Sequence, residues 1–155
     1  HLGHSSCIML GLSRAKVVSV DIGTVWVTWE HGWSDWGNAG GDGLKKVVEV
    51  LKAAFPDRFS FILGDSTQPE TFVAINDNGP YDLAFIDGDH SYAYVRKDIE
   101  MALAMKIPYI LLDDCTTPDE DTWRAALDCG LRLIRHYPAI HNVANVGSAL
   151  WLPPL

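Results

Sequence analysis

The sequence predicts an α/β fold: a doubly wound, mostly parallel sheet with helices on both faces and an antiparallel hairpin at its C-terminal end. Three observations point there. Short runs rich in Val, Ile, Leu and Phe alternate with helix-length amphipathic stretches, the pattern of βαβ units whose strands are buried on both faces. Four of those runs end at or next to an aspartate: Asp21, Asp65, Asp87 and Asp113. A chain of 155 residues, 48% hydrophobic and 21% charged, amounts to one domain spanning 1–155, because domains of about 100–200 residues are the common unit.

Taken in order, Ser5 or Ser6 can cap a first helix running to about Arg14. The first strand is Lys16–Asp21. An insertion rich in Trp and Gly follows at about 24–43. In it Trp26, Trp29, Trp33 and Trp36 have helical spacing, while Gly32, Gly37, Val25, Val27 and Thr28 work against a helix. It serves either as an aromatic lid hinged at Gly37–Gly43 or as a local core or oligomer contact. Gly43–Phe55 places Leu44, Val47, Val48, Leu51 and Ala54 on one helical face before Pro56 stops it. Phe59–Leu63 and Leu83–Asp87 are the next strands. Ser91 can cap a helix over Tyr92–Met105, with Val95, Ile99, Ala102 and Leu103 inward and Arg96, Lys97 and Glu100 toward water. After the strand Tyr109–Asp113, Thr117 and Pro118 begin a helix whose acids Asp119, Glu120 and Asp121 favour its dipole, ending at Gly130. Leu131–His136 and Ser148–Leu152 flank a polar loop with Asn142, Asn145 and Gly147, which predicts the terminal hairpin.

Composition narrows the partners. The net charge is −8 with no basic run, which argues against nucleic acid. Apolar runs such as FVAI and YILL fall far short of the roughly 18 residues of a membrane span, and the start lacks the features of a signal peptide. A cytoplasmic protein acting on a small molecule, with a homo-oligomer compatible, is the resulting expectation. Cys7, Cys115 and Cys129 are odd in number and lack CxxC spacing, so they predict reduced core or near-core thiols rather than a disulfide framework or zinc site.

In open α/β sheets the ligand crevice lies beyond the carboxyl ends of the strands, where the four aspartates would converge. They stand 44, 22 and 26 residues apart, against roughly 30 for a βαβ unit, so the first gap holds the insertion. The competing reading of each is a polar strand end or a helix cap. A carboxylate at such a position suits a ribose diol, and Gly64-Asp65-Ser66 offers a turn beside an adenine edge. Asp87 with Asp113 and Asp114 offers hard oxygen ligands for Mg²⁺, Ca²⁺ or Mn²⁺. His90, three residues past Asp87, is the candidate general base, or else it orients Asp87. His1, His4, His31, His136 and His141 have no ligand spacing and are read as structural or exposed.

The run YDLAFIDGDHSYAYVRKDIEMAL, with VVSVDI and FILGDST before it and YILLDDC after it, resembles class I S-adenosylmethionine-dependent methyltransferases. It is nearest to the small-molecule O-methyltransferases with IDGDHSY after the fourth strand. The resemblance implies a Rossmann-like sheet and S-adenosylmethionine as cofactor. It puts Asp21 on the ribose, Asp65 and Ser66 at the adenine, and Gly3 and Ser5 near the methionine moiety. Leu2–Ser6 (LGHSS) looks like the end of the family's glycine-rich loop, so the resemblance also implies a first strand and a first glycine ahead of it, expected upstream of His1. Related enzymes bind a divalent cation at the positions of Asp87, Asp113 and Asp114; in the alternative, Asp87 bonds the cofactor and Asp114 caps a loop. His90 and Asp87 would then carry methyl transfer to a hydroxyl of a sugar, polyketide or phenol, with an amine as the other acceptor. Two rivals stand beside this: a haloacid-dehalogenase-type phosphatase using Asp87 and Asp89, which lacks a suitable downstream Lys, and a non-catalytic nucleotide-fold binding domain.

Overall fold

A computed structural model describes residues 4–23, 40–118, 120–138 and 147–155, which fall into two compact units, His1–Asn78 and Gly79–Leu155. Each has its own sheet and core. The first unit contains α1 (His4–Leu12), β1 (Val17–Asp21), α2 (Gly40–Ala54), β2 (Phe59–Leu63) and α3 (Pro69–Asn76). β1 and β2 run parallel in a register from Val17 opposite Phe59 to Asp21 opposite Leu63. Leu10, Leu51 and Phe59 form the buried centre, with Val17, Val47, Val48, Phe55 and Phe61 against it. The Arg58 guanidinium closes the unit by donating to three carbonyls, Leu10, Ser13 and Ala15, at 3.0, 2.9 and 3.4 Å.

Several expectations for this unit change. Ser5 and Ser6 lie inside α1 rather than capping it, and the helix stops at Leu12, where the Ser13 hydroxyl bonds the Met9 carbonyl. Residues 40–43, expected in a hinge, belong to α2, whose Ala54 is exposed because the inward stripe ends at Leu51. The helix α3 was not expected; Pro69 starts it and its inward residues are Thr71 and Ile75. The four tryptophans of the insertion, Trp26, Trp29, Trp33 and Trp36, lie outside the described residues, as do His1, His31 and His141.

The second unit contains β3 (Leu83–Ile86), α4 (Tyr92–Ala104), β4 (Tyr109–Leu112), α5 (Asp121–Asp128), β5 (Arg132–Tyr137) and β6 (Ser148–Leu152). Its sheet has the order β3-β4-β6-β5. β3 and β4 are parallel, while β6 is antiparallel to both β4 and β5. The residues that would link β5 to β6, 139–146, lie outside the described set. Val95, Ile99 and Ala102 of α4 and Ala125 and Ala126 of α5 pack with Ile110, Leu112, Ala149 and Trp151 of the sheet. Trp123 meets Trp151 edge to face at 5.3 Å, a favoured aromatic geometry.

The single sheet of the expectation is replaced, among the described residues, by two sheets, because the hydrogen-bonded neighbour of β1 is β2 and that of β3 is β4. α5 starts at Asp121 instead of Thr117, with Glu120 at the N-cap. Ser91 does hold the N-cap position of α4, but its side chain makes no capping bond. Of the thiols, Cys115 is buried and Cys129 half-buried; Cys7 is exposed, on the outer face of α1.

Candidate active site

In the second unit the parallel pair β3 and β4 brings two loops side by side. The Asp113 amide donates to the Ile86 carbonyl at 3.0 Å, extending the ladder just past both strand ends. β3 then leads into Asp87-Gly88-Asp89-His90, where the Asp89 Oδ1 accepts from the Ser91 amide at 2.8 Å and turns the chain into α4. β4 leads into Asp113-Asp114, with Asp114 in the left-handed region at φ 48°, a conformation aspartate tolerates better than most side chains.

His90 joins the two loops. Its Nδ1–H donates to Asp114 Oδ2 at 2.5 Å, and its Nε2 stands 3.7 Å from Asp87 Oδ1. The contact to Asp114 assigns the proton to Nδ1. Nε2 is closed off from solvent and makes no hydrogen bond. Asp87 first, and then the charges of Asp114 and Asp113, hold the His90 pKa above its ordinary value, against the opposing effect of half-burial. Burial pushes the Asp114 carboxyl up, with Asp113 and Asp87 adding to that and His90 opposing it. Asp113 is held separately: its Oδ1 accepts from the Ser148 hydroxyl at 2.7 Å.

Ser148 is a site residue that sequence reasoning missed. It begins β6, one position before Ala149, which pairs with Leu112. Only the antiparallel register places it beside Asp113, and no spacing in the sequence carries that register.

As expected metal ligands, Asp87, Asp113 and Asp114 are not gathered round a common point. Among the described residues no group of three or more His, Cys, Asp or Glu side chains is placed to hold a metal ion. In this structure Asp114 meets His90 and Asp113 meets Ser148.

The expected cofactor residues with described positions, apart from Asp87, lie in the first unit. Asp21 ends β1; its Oδ1 accepts from the Gly23 amide at 2.7 Å, and its carbonyl accepts from the Gly64 amide at 2.9 Å. The first turns the chain just after β1, and the second ties the β1 and β2 ends together. Asp65 acts locally, its Oδ1 accepting from the Thr67 amide and hydroxyl at 2.9 and 2.8 Å and its Oδ2 from Gln68 Nε2 at 3.2 Å. Ser66 is half-buried beside it, Ser5 is half-buried in the first turn of α1, and Gly3 lies outside the described residues. No helix among the described residues is long and apolar enough to cross a membrane.

A family profile described as a methyltransferase domain matches residues 1–115. That span includes Asp87-Gly88-Asp89, which sets aside the phosphatase reading of those residues. No curated protein matches the chain. Among solved structures, the chain is similar to apo CalS11, described as a TDP-rhamnose 3'-O-methyltransferase of calicheamicin biosynthesis, with 17% identity and a TM-score of 0.46 over 88% of this chain and 57% of that one. It is also similar to the MycE methyltransferase of the mycinamycin pathway, solved with Mg and SAH, with 17% identity and a TM-score of 0.45 over 91% of this chain and 46% of that one. The chain therefore spans about half the length of these structures. With residues 1–115 matched by the profile, the chain belongs to the methyltransferase-domain family, class I S-adenosylmethionine-dependent methyltransferases.

Proposed function

We propose that the chain takes part in methyl transfer from S-adenosylmethionine to a hydroxyl of a small molecule, with His90 as general base. The observation that carries this reading is the His90 pair. With Nδ1–H given to Asp114 at 2.5 Å, Nε2 is the basic nitrogen, shielded and 3.7 Å from Asp87. A base held in its tautomer by a carboxylate is the arrangement that proton abstraction from a hydroxyl requires.

When bound, S-adenosylmethionine supplies an activated methyl on a sulfonium, so the protein's task is to align a hydroxyl and remove its proton. Nε2, closed off in this structure, takes that proton once Asp87 shifts to admit the hydroxyl, and Asp87 and Asp114 stabilise the imidazolium that results. Asp21 fits a ribose diol: its Oδ1 is oriented by Gly23, and its Oδ2 is left for the two hydroxyls. At the Gly64-Asp65-Ser66 turn, Asp65 is engaged by three local donors, so Ser66 is the side chain left to approach the adenine. Gly3 and Ser5 belong near the methionine moiety in the same reading. Asp87, Asp113 and Asp114 carry hard oxygen atoms of the kind a divalent cation takes, but among the described residues no group of three or more His, Cys, Asp or Glu side chains is placed to hold one.

The test is formation of S-adenosylhomocysteine by wild type and His90→Ala over a panel of sugar and phenol acceptors. Loss of a positioned base lowers kcat/KM by about 10²–10⁴-fold; turnover unchanged in His90→Ala overturns the assignment.

A further inference from the structure

Two adjacent acids at the start of α5 each reach the backbone of a different site loop. Glu120 Oε2 accepts from the Thr116 amide at 2.8 Å, two residues beyond Asp114. Asp121 Oδ2 accepts from the Tyr92 amide at 3.2 Å, two residues beyond His90. Asp121 is itself fixed, because its Oδ1 accepts from Arg124 at 3.1 Å and the Arg124 guanidinium lies over the Tyr92 ring at 5.4 Å. At the other end of α5, Asp128 accepts the Tyr92 hydroxyl at 2.7 Å. The helix is thus fastened to Tyr92 at both ends, and its first turn links the loop of Asp114 to the loop of His90.

The first amides of a helix have no partner within it, and a serine at the N-cap ordinarily serves one of them. Here Ser91 makes no such bond, and the Tyr92 amide is served by a residue 29 positions away in sequence. Both contacts are charge-assisted, hence stronger than neutral ones. We infer that Glu120 and Asp121 are positioning residues that set the separation of His90 from Asp114. The inference rests on the proposed function for what His90 does. It acts on geometry alone, and a displacement of about 1 Å can cost about 10²-fold in rate.

Proton NMR of the whole chain reads that geometry without an acceptor substrate. A proton in the short His90 to Asp114 bond resonates far downfield, and His90→Ala identifies it. The resonance is expected in wild type, lost in the double variant Glu120→Ala with Asp121→Ala, and restored in Glu120→Gln with Asp121→Asn, which keeps an oxygen acceptor at each position. Should the double alanine variant fail to fold, the single variants Glu120→Ala and Asp121→Ala are each expected to move the resonance upfield. A resonance unmoved by the alanine changes, or absent from wild type, overturns the inference. Calorimetry with S-adenosylmethionine on wild type keeps the two readings apart: absence of binding defeats methyl transfer, while the resonance still decides the positioning role.

Discussion

His90 owes its raised pKa to carboxylates, Asp87 foremost, acting against its own half-burial. The sign of the consequence for stability follows from linkage. The folded chain holds the His90 proton more tightly than the unfolded chain, so this stabilisation is complete below the ordinary histidine value of about 6.5 and is lost as pH rises through the higher folded value. Urea unfolding midpoints measured with a chelator present should therefore fall above about pH 6.5, and His90→Asn should flatten that fall. The same slope in the variant would contradict the placement. Cys115 gives a second residue-scale outcome. Burial, with the nearby Glu120 charge, pushes its thiol up to about 12, whereas Cys7 is exposed. A thiol reagent at pH 8 should label Cys7 in the folded chain and reach Cys115 only on unfolding; equal labelling rates would refute the burial.

At the scale of elements, α4 and α5 end in the same way. The amides of Lys106 and Ile107 bond the carbonyls of Leu103 and Ala102, and those of Gly130 and Leu131 bond Leu127 and Ala126. Both are Schellman ends, with buried Ile107 and Leu131 as the apolar residue that follows. Gly130 suits its φ of 73°, but at Lys106 a lysine occupies φ 57°. An L-residue there costs roughly 1–2 kcal/mol, partly offset by the flexibility of glycine in the unfolded chain. Lys106→Gly should thus stabilise by about 0.5–1 kcal/mol in denaturant titration; a destabilised variant would argue against this end. Arg58 is the corresponding staple of the first unit. Removing its charge-assisted bonds to three carbonyls in Arg58→Ala should cost about 1.5–3 kcal/mol, and a change within about 0.5 kcal/mol, as for an ordinary surface site, would show it idle. These ends were only partly legible. Continuous Val, Ile and Leu runs placed all six strands to within about a residue, the usual error at element ends. The eight-residue α3 escaped because one of its two inward residues is Thr71, which blurs the apolar period. The start of α5 was placed too early because Thr117 and Pro118 imitate a helix start, while Glu120 is spent on the Thr116 amide.

For the whole molecule, chain order carried more information than composition. The aspartates at the strand ends and the IDGDHSY run were visible in one dimension, and both lie in or beside strands within the span that the family profile covers. What stayed hidden were contacts made by sheet register and helix docking: Ser148 on Asp113, Asp121 on Tyr92, Glu120 on Thr116. Each joins residues whose proximity depends on three-dimensional packing, and in the last case on a turn that local pattern misread. The account as a whole depends on the chain binding S-adenosylmethionine with Asp21 on the ribose. Removing a charged hydrogen-bond acceptor costs about 1.5–3 kcal/mol, or about 10–100-fold in affinity. Calorimetry should therefore show S-adenosylmethionine binding to the wild-type chain and about 10–100-fold weaker binding to Asp21→Ala, whereas no heat with wild type, or equal affinity in the variant, would contradict the account.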